Sequence, residues 1–400
     1  MRIRSLIVFL IFFISTGILW FLCPAVAKIP AMDGHLSCQG QNSETPGSSI
    51  NPSATPEQSQ GGPEPLFNYF TLKENESDFD LSMHILEINP ANPKIITRPV
   101  SAHETLFGYA TLSDMNAKWK SLATVNGGFS HPNGLLGGLY AINGELITTA
   151  TGKYPALFMR AGKAFIEDVE TAVWLEGQTE SSIKLESLYY NQFPKGDGLY
   201  VFTPAYGSQN RIESSHLNAV VSKGEVRGLL LRNGSYEIPQ DGFLVSAIGD
   251  YAKIRLKEAV KPGMQLKISY EVHVKRGKIE SYDWAYECGS WILRDGQVVV
   301  PDADTWVGTL RIRTPRTAVG IKQDGTLVFV VVDGRQKDFS DGLSGEELAQ
   351  KLLVLGIKDA VFLDGGASSE MIVEGKIVNS PAAGRERLLA SGFVILQLVE

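Results

Sequence analysis

This chain of 400 residues contains little cysteine and little histidine, and that scarcity narrows the kinds of site it can hold. Its three cysteines cannot build a disulfide framework, and its six histidines form neither a His-Glu-x-x-His motif nor a Cys/His zinc pattern. A Cys38–Cys288 bridge would require an oxidising compartment; the alternative is that Cys288 is a small buried residue. A zinc site is therefore not expected. A divalent cation held by oxygens of Asp333, Asp364 or Glu287 remains open, because oxygen ligands leave no spacing signature.

Other absences exclude nucleotide and nucleic-acid chemistry. The sequence has no Walker motif and no Rossmann fingerprint. Its formal net charge is −7, and no block of lysine or arginine offsets this balance, which argues against a nucleic-acid partner. No Gly-x-Ser-x-Gly elbow surrounds Ser368 or Ser369, so a serine nucleophile is not expected.

The N-terminus has the pattern of a secretory signal. Arg2 and Arg4 precede a long apolar run, and Ala25 and Ala27 are the small residues that a signal peptidase requires. The pattern predicts a signal peptide over residues 1–27. The alternative is an uncleaved anchor, because the apolar run approaches the roughly 20 residues that span a bilayer. Both interpretations predict an exported protein, in the periplasm, the cell envelope or the extracellular space, with no membrane contact except through an uncleaved N-terminal segment.

The rest of the chain divides into a linker and a folded domain. Residues 28–65 are rich in Ser, Pro and Gly and cannot bury enough apolar surface to fold, so they are predicted to be a flexible linker. Residues 66–400 are predicted to form a single domain of the α+β class, β-rich and with a mixed sheet. Within it, residues 165–280 consist of short β-branched and aromatic runs broken by Gly, Asn and Pro, a pattern typical of an antiparallel meander.

Near the C-terminus the pattern is strand, helix, strand. Two apolar runs end at Asp333 and Asp364, and between them Ser344 and Glu347 form a capping box, with Gly356 after the helix end. Such a βαβ unit has parallel strands and a right-handed crossover. Parallel strands end at one edge of the sheet, where ligands bind. The two aspartates are therefore expected at one edge, close together if their strands are adjacent.

Paired carboxylates at such an edge suit glycosyl transfer. One protonates a leaving oxygen, while the other stabilises positive charge at the sugar or activates water. The sequence does not tell which of Asp333 and Asp364 has which role. For each of them an Asp-Gly turn is the structural alternative.

Arginine offers a second element of a site. Arg316 and Arg335 are candidates for bidentate binding of phosphate, and the alternative is that each pairs with a local acid. Arg385 and Arg387 are interpreted as solvated or loop-anchoring residues.

Small polar residues complete the candidate site. Asn126 ends another apolar run, and its amide could bind a sugar hydroxyl or position water, with Gly127 and Gly128 leaving backbone N–H groups open. An αL turn explains the same pattern. Ser368 and Ser369 could donate to a phosphate oxygen.

Five motifs in this order, Thr-Val-Asn-Gly-Gly-Phe, Arg-Thr-Ala-Val-Gly, Val-Val-Asp-Gly-Arg, Leu-Asp-Gly-Gly-Ala-Ser-Ser and Val-Asn, resemble the phosphodiester glycosidase family. The resemblance covers roughly residues 66–400. It implies a hydrolase that cleaves a sugar-1-phosphodiester of a sugar phosphate or polysaccharide, releasing the sugar and a phosphomonoester. The residues it implies as catalytic are Asp333 and Asp364. The predicted substrate- and phosphate-binding residues are Asn126, Gly127, Gly128, Arg316, Thr317, Gly334, Arg335, Gly365, Gly366, Ser368, Ser369 and Asn379.

The chain departs from the family pattern at two positions. Ala367 stands where the family has a third glycine, and Glu370 stands where it has threonine. Glu370 thus brings a negative charge close to the expected phosphate. Two other functions stay open: a phosphoesterase or glycosyl-phosphate transferase using the same pocket, and a non-catalytic carbohydrate-binding protein. No cofactor is predicted apart from the open question of a divalent cation.

Overall fold

The computed structural model describes residues 65–76, 79–178 and 182–398, and these belong to one unit, Pro63–Glu400. The predicted signal segment, the predicted linker up to residue 64, and Cys38 lie outside the described residues. Within the described ranges, no helix has the length and apolar character needed to cross a bilayer.

The secondary structure is dominated by short strands. In chain order the first seven are β1 (Asn68–Glu76), β2 (Phe79–Ile88), β3 (Ile95–Ser101), β4 (Ala123–Asn126), β5 (Tyr140–Ile142), β6 (Glu145–Thr148) and β7 (Pro155–Arg160). The next nine are β8 (Lys163–Gln178), β9 (Ser182–Leu185), β10 (Leu188–Tyr190), β11 (Gly198–Phe202), β12 (Ser215–Ser222), β13 (Glu225–Asn233), β14 (Gly242–Ile248), β15 (Gln265–Val274) and β16 (Gly277–Lys278). The last eleven are β17 (Trp284–Glu287), β18 (Trp291–Arg294), β19 (Gln297–Val298), β20 (Ala303–Asp304), β21 (Gly308–Thr309), β22 (Arg316–Lys322), β23 (Leu327–Val332), β24 (Ile357–Phe362), β25 (Met371–Val373), β26 (Lys376–Ile377) and β27 (Ser391–Gln397).

Helices are few. The described residues contain α1 (Leu112–Trp119), α2 (Asp250–Ala259), α3 (Gly345–Val354) and a single 3-10 turn, Gly366–Ser368. In α3 the Ser344 hydroxyl accepts from the Glu347 N–H while the Glu347 side chain accepts from Ser344, which confirms the predicted capping box. Sequence reasoning did not identify α1 and α2. They are short, and each buries few side chains, so their periodicity is weak.

The strand-helix-strand unit lies in a seven-stranded sheet of order β1-β2-β23-β22-β24-β18-β19. Because β22 is antiparallel to both β23 and β24, those two strands run in the same direction, but β22 separates them. They end at one edge of the sheet, and the start of β22 lies between their ends. The two aspartates therefore share an edge without following adjacent strands.

Strand β23 is buried on both faces, which explains its uninterrupted apolar sequence. Val328 and Val330 pack in the cluster that contains Leu348 of α3. On the opposite face, Phe329 packs against Phe393 of β27, with ring centroids 5.1 Å apart. The seven-stranded sheet is thus a layer between α3 and a five-stranded sheet of order β26-β25-β4-β27-β3.

The middle of the chain forms a thirteen-stranded sheet together with β5, β6, β7 and β17. Its strands pair antiparallel except for β10 and β11, which are parallel. The predicted β-rich fold with a mixed sheet is therefore confirmed. The order β11-β14-β12-β13-β15 is not sequential, and α2 interrupts the chain between β14 and β15. The segment is therefore more complex than a simple meander.

Candidate active site

The ends of β4, β22 and β24 meet around the amide of Asn126, which is fully buried. Its Oδ1 accepts from Thr317 Oγ1 at 2.8 Å and from the Glu370 N–H at 3.0 Å, while its Nδ2 donates to the Asp364 carbonyl at 2.7 Å. All of these bonds are internal. Asn126 and Thr317 therefore hold the backbone that carries Asp364, rather than contacting a sugar or water as predicted.

The two glycines after Asn126 allow a close backbone approach. A Cβ on Gly127 would lie 2.4 Å from Ser391 Oγ, so no larger residue fits there. The Gly127 N–H donates to the Ser391 carbonyl and the Gly128 N–H donates to the Tyr286 hydroxyl. The predicted open N–H groups are thus already paired. Gly128 nevertheless lines the cavity described next.

Asp364 lies beside a cavity of about 650 Å³. Its carboxyl group is largely buried, and this burial raises its pKa, while the Ser368 hydroxyl and the Arg387 charge act in the opposite direction. A carboxyl with a raised pKa that lines a cavity is the usual signature of an acid or base in catalysis. Of the two predicted aspartates, Asp364 is the one in contact with open space.

Aromatic rings line part of this cavity. Phe129 and Trp306 stack with centroids 5.5 Å apart and an interplanar angle of 17°. His131 contacts the same indole at 5.7 Å, and Tyr109 donates to the His131 carbonyl. A cavity with one apolar aromatic wall and a few convergent polar groups is the common form of a small-molecule site. Sequence reasoning missed this wall, because its rings come from segments far apart in the chain.

Two arginines approach the 3-10 turn Gly366–Ser368. Arg387 Nη1 donates to Ser368 Oγ at 3.3 Å and lines the cavity. Arg335 is exposed, and its Nη2 would lie 3.4 Å from a Cβ built on Gly366. Arg387 was interpreted from sequence as solvated or loop-anchoring. Its position gives it a contact with the site, and no local motif signals that contact.

The backbone conformation and close contacts of this turn explain why it contains glycines. Gly366 has φ 63°, a left-handed conformation that favours glycine, and its N–H donates to the Pro315 carbonyl at 2.8 Å. A Cβ on Gly365 would lie 3.2 Å from the same carbonyl. Both serines of this segment are buried, and of the two Ser368 lines the cavity.

Arg316 does not reach the cavity, contrary to its predicted role in holding phosphate. The side chain is 1% exposed, and its guanidinium donates to the backbone carbonyls of Leu343, Ile312 and Thr309. Burial, with a contribution from the Arg335 charge, lowers its pKa to about 10. Arg316 anchors the loops at this edge of the sheet.

Asp333 is likewise buried. Its Oδ2 faces His84 Nε2 at 3.0 Å, and its Oδ1 accepts from Asn379 Nδ2 at 3.1 Å and from the Ser380 N–H at 2.8 Å. The carboxylate is therefore satisfied by protein groups and does not line the cavity. The predicted contact of Asp333 with substrate does not fit this position.

The neighbours of Asp333 have structural roles as well. Asn379 also donates to the Ser369 carbonyl and accepts from the Met371 N–H, so it ties Asp333 to the strand after the turn. A Cβ on Gly334 would lie 2.8 Å from Gly342 Cα, which requires glycine at this close approach.

Other candidates for metal or thiol chemistry lie elsewhere. Glu287 accepts from the N–H groups of Leu139 and Thr151 and from the Thr151 hydroxyl, and burial raises its pKa. Cys288 is a buried free thiol whose pKa burial raises. The described part of the chain contains no group of three or more His, Cys, Asp and Glu side chains arranged to hold a metal ion.

Residues 208–396 match the phosphodiester glycosidase family. The SPbeta prophage-derived uncharacterized protein YomE of Bacillus subtilis is 30% identical over 175 residues, which is 44% of this chain and 26% of that protein. The mouse N-acetylglucosamine-1-phosphodiester alpha-N-acetylglucosaminidase is 24% identical over 156 residues, 38% of this chain and 27% of the enzyme. These alignments thus span about a quarter of the length of either relative.

The fold has a solved counterpart. The crystal structure of a hypothetical protein from Synechocystis superposes with a TM-score of 0.70 at 18% identity, covering 83% of this chain and 62% of that chain. The family match and the sequence relatives confirm the predicted resemblance to this family, with the match covering residues 208–396 of the predicted 66–400.

Proposed function

We propose that this chain, whose residues 208–396 belong to the phosphodiester glycosidase family, hydrolyses the bond between the anomeric carbon of a sugar and a phosphodiester. The products are the free sugar and a phosphomonoester. One observation carries the proposal: the raised-pKa carboxyl of Asp364 lines the same cavity as the Arg387 guanidinium and the ring of Trp306. A carboxyl, a cation and an aromatic wall are what a sugar joined to a phosphate requires.

The chemistry of the leaving group explains why one carboxyl can suffice. A departing phosphomonoester carries its negative charge far better than a departing alcohol does, so it needs charge neutralisation more than protonation. Arg387 lies at the site, and Arg335 lies beside the turn that carries Ser368, so both can supply this charge as bidentate donors. The aromatic wall formed by Phe129 and Trp306 supports binding of a sugar ring.

Asp364 acts as the general base in this proposal. Its carboxylate takes a proton from water as the water oxygen bonds to the anomeric carbon, and the electrons of the breaking C–O bond pass to the phosphate oxygen. A base works best with a pKa close to the operating pH, and burial moves the pKa of Asp364 in that direction. Asn126 and Thr317 act as positioning residues by holding the backbone at Asp364.

We also propose a substrate class and a compartment for this protein. The signal pattern at residues 1–27 supports export, and an exported enzyme of this kind would meet cell-envelope or extracellular polysaccharide joined by phosphodiesters. N-acetylglucosamine-1-phosphodiesters are the first compounds to test, because the mouse relative is named for them. Mass analysis of the exported protein tests the compartment: loss of residues 1–27 supports cleavage of a signal, and an intact N-terminus supports an anchor.

Activity is tested with a panel of synthetic sugar-1-phosphodiesters, with and without a chelator. Asp364→Asn should lower kcat by roughly 10²–10⁴-fold, as expected for loss of a general base. Asp338→Asn, at an exposed carboxylate, is the matched control. Free alcohol plus sugar phosphate as products would instead support a phosphoesterase. Binding without turnover across the panel would support a carbohydrate-binding protein.

Arg387 is tested separately. Arg387→Gln should raise KM or lower kcat by about tenfold to a hundredfold, because a charge-assisted hydrogen bond contributes roughly 1.5–3 kcal/mol. Arg385→Gln, a change at an exposed arginine on the same loop, should leave both constants unchanged. Equal effects of the two variants would show that Arg387 has no specific role in substrate binding or turnover.

A further inference from the structure

Glu370 is a buried carboxyl that nothing in the reaction described above uses. It occupies the position where the family pattern has threonine, directly after the serines of the site turn. It is 1% exposed, and neither of its carboxyl oxygens accepts a hydrogen bond from the described residues. A buried carboxylate without donors is unstable, so the group favours its protonated form.

A second carboxyl, Glu386, faces Glu370. Burial, a side-chain hydrogen bond with Glu386 and the Glu386 charge raise the pKa of Glu370 to about 9. Glu386 accepts from the Ser113 N–H at 2.9 Å in the first turn of α1, and the positive end of a helix favours an anion there. The raised pKa keeps Glu370 protonated near neutral pH, and its O–H can donate to Glu386.

Glu386 belongs to the loop that carries Arg387, residues 381–388, called here the Arg387 loop. At its ends the loop is held where Ser380 bonds to Asp333 and where Leu389 bonds to Ala110. Between those ends, the side-chain hydrogen bonds recorded for the described residues are Ser113 to Glu386 and Arg387 to Ser368. Glu386 is thus the inner anchor of the segment that brings Arg387 to the site.

We propose that protonated Glu370 is a positioning residue: its hydrogen bond to Glu386 holds the Arg387 loop, and with it the guanidinium that lines the Asp364 cavity. Ionisation of Glu370 would place two negative charges in contact and release the loop. The activity readout rests on the proposed hydrolase function, whereas the loop readout below does not.

Other charged groups on the surrounding elements do not substitute for Glu386. On α1, Asp114 is exposed and bonds to Thr111 in the helix cap, and Lys118 is exposed in the last turn. Strands β4 and β27, which pack beside β25, contain no ionisable side chain. Arg387 contacts Ser368, and Arg335 lies beside Gly366.

The first test is the pH profile of kcat/KM for wild type and Glu370→Gln, whose amide can donate to Glu386 but cannot ionise. Wild type should lose activity above about pH 9, approaching a tenfold decrease per pH unit, as expected for loss of one proton. The Gln variant should keep its activity through that range. Glu374→Gln, at an exposed carboxylate in the following hairpin, should behave like wild type. An unchanged alkaline limb in Glu370→Gln would overturn the proposal.

The second test needs no substrate. Trypsin can cleave the exposed loop after Arg385 or Arg387, and the rate reports how often the loop opens. After correction with a free peptide of the same sequence, wild type should be cleaved several-fold faster at pH 9.5 than at pH 7.5, and Glu370→Gln equally at both. Equal pH dependence in the two proteins overturns the positioning role. A pH-gated loop in a protein that hydrolyses no sugar phosphodiester would instead contradict the proposed function alone.

Discussion

Replacing Asp333 tests whether this aspartate has a structural or a catalytic role. In Asp333→Ala the contact with His84 and the acceptor of the Ser380 N–H are lost, and Asn379 keeps only the Ser369 carbonyl as acceptor. We expect this change to cost roughly 2–5 kcal/mol, because each buried polar group left unpaired costs about 1–3 kcal/mol. Asp333→Asn keeps one oxygen for Asn379 and Ser380 and changes mainly the contact with His84. We expect it to cost about 1.5–3 kcal/mol, the contribution of one hydrogen bond to a charged group.

The assay is urea unfolding alongside steady-state kinetics on the best sugar phosphodiester of the panel. Asp333→Asn should unfold at lower urea, while its folded fraction keeps kcat within about threefold of wild type, because no transition-state contact is lost. Asp364→Asn should show the opposite pattern. Wild-type stability combined with a hundredfold loss of kcat in Asp333→Asn would refute the structural role and restore the carboxylate pair as catalytic.

Three further predictions concern the same edge of the sheet. Arg316→Lys should lower the urea midpoint by the equivalent of about 1–3 kcal/mol, since an ammonium cannot reproduce the guanidinium fork to backbone carbonyls. Gly366→Ala should cost about 1–2 kcal/mol because of its positive φ, and it should raise KM more than it lowers kcat, because the new methyl group would contact Arg335. The pKa of Asp364 is raised by folding, so the contribution of this group to stability should be lost as pH rises from about 4 through the folded pKa. The free energy of unfolding, measured with urea at pH 4 and pH 7, should change between these pH values by an amount that, in Asp364→Asn, differs from wild type by the lost Asp364 contribution. Asp338→Asn should match wild type.

Sequence patterns indicated which segments lie together but not what each side chain does. The Asn126 and Asp364 motifs are neighbours in the structure, as expected for strand ends followed by glycine, which allow close backbone approach. The partners of the Asn126 amide, Thr317 and Glu370, lie 191 and 244 residues away in the chain, so its internal bonding leaves no local signal.

The two aspartates illustrate the same limit. Asp333 and Asp364 both end apolar strands and both precede glycine. The two aspartates differ because His84, which lies 249 residues from Asp333 in the chain, contacts the buried side chain of Asp333. Arg387 was predicted to be solvated or loop-anchoring; it is exposed, and its contact with Ser368 depends on where the loop is anchored.

Hydrolysis in oxygen-18 water tests the central claim most directly. A sugar-1-phosphodiester hydrolysed by the wild-type protein should release a phosphomonoester without oxygen-18, detected by the absence of an isotope shift in its phosphorus resonance, because water attacks the anomeric carbon. Oxygen-18 in the phosphomonoester would show attack at phosphorus and would contradict the glycosidase account.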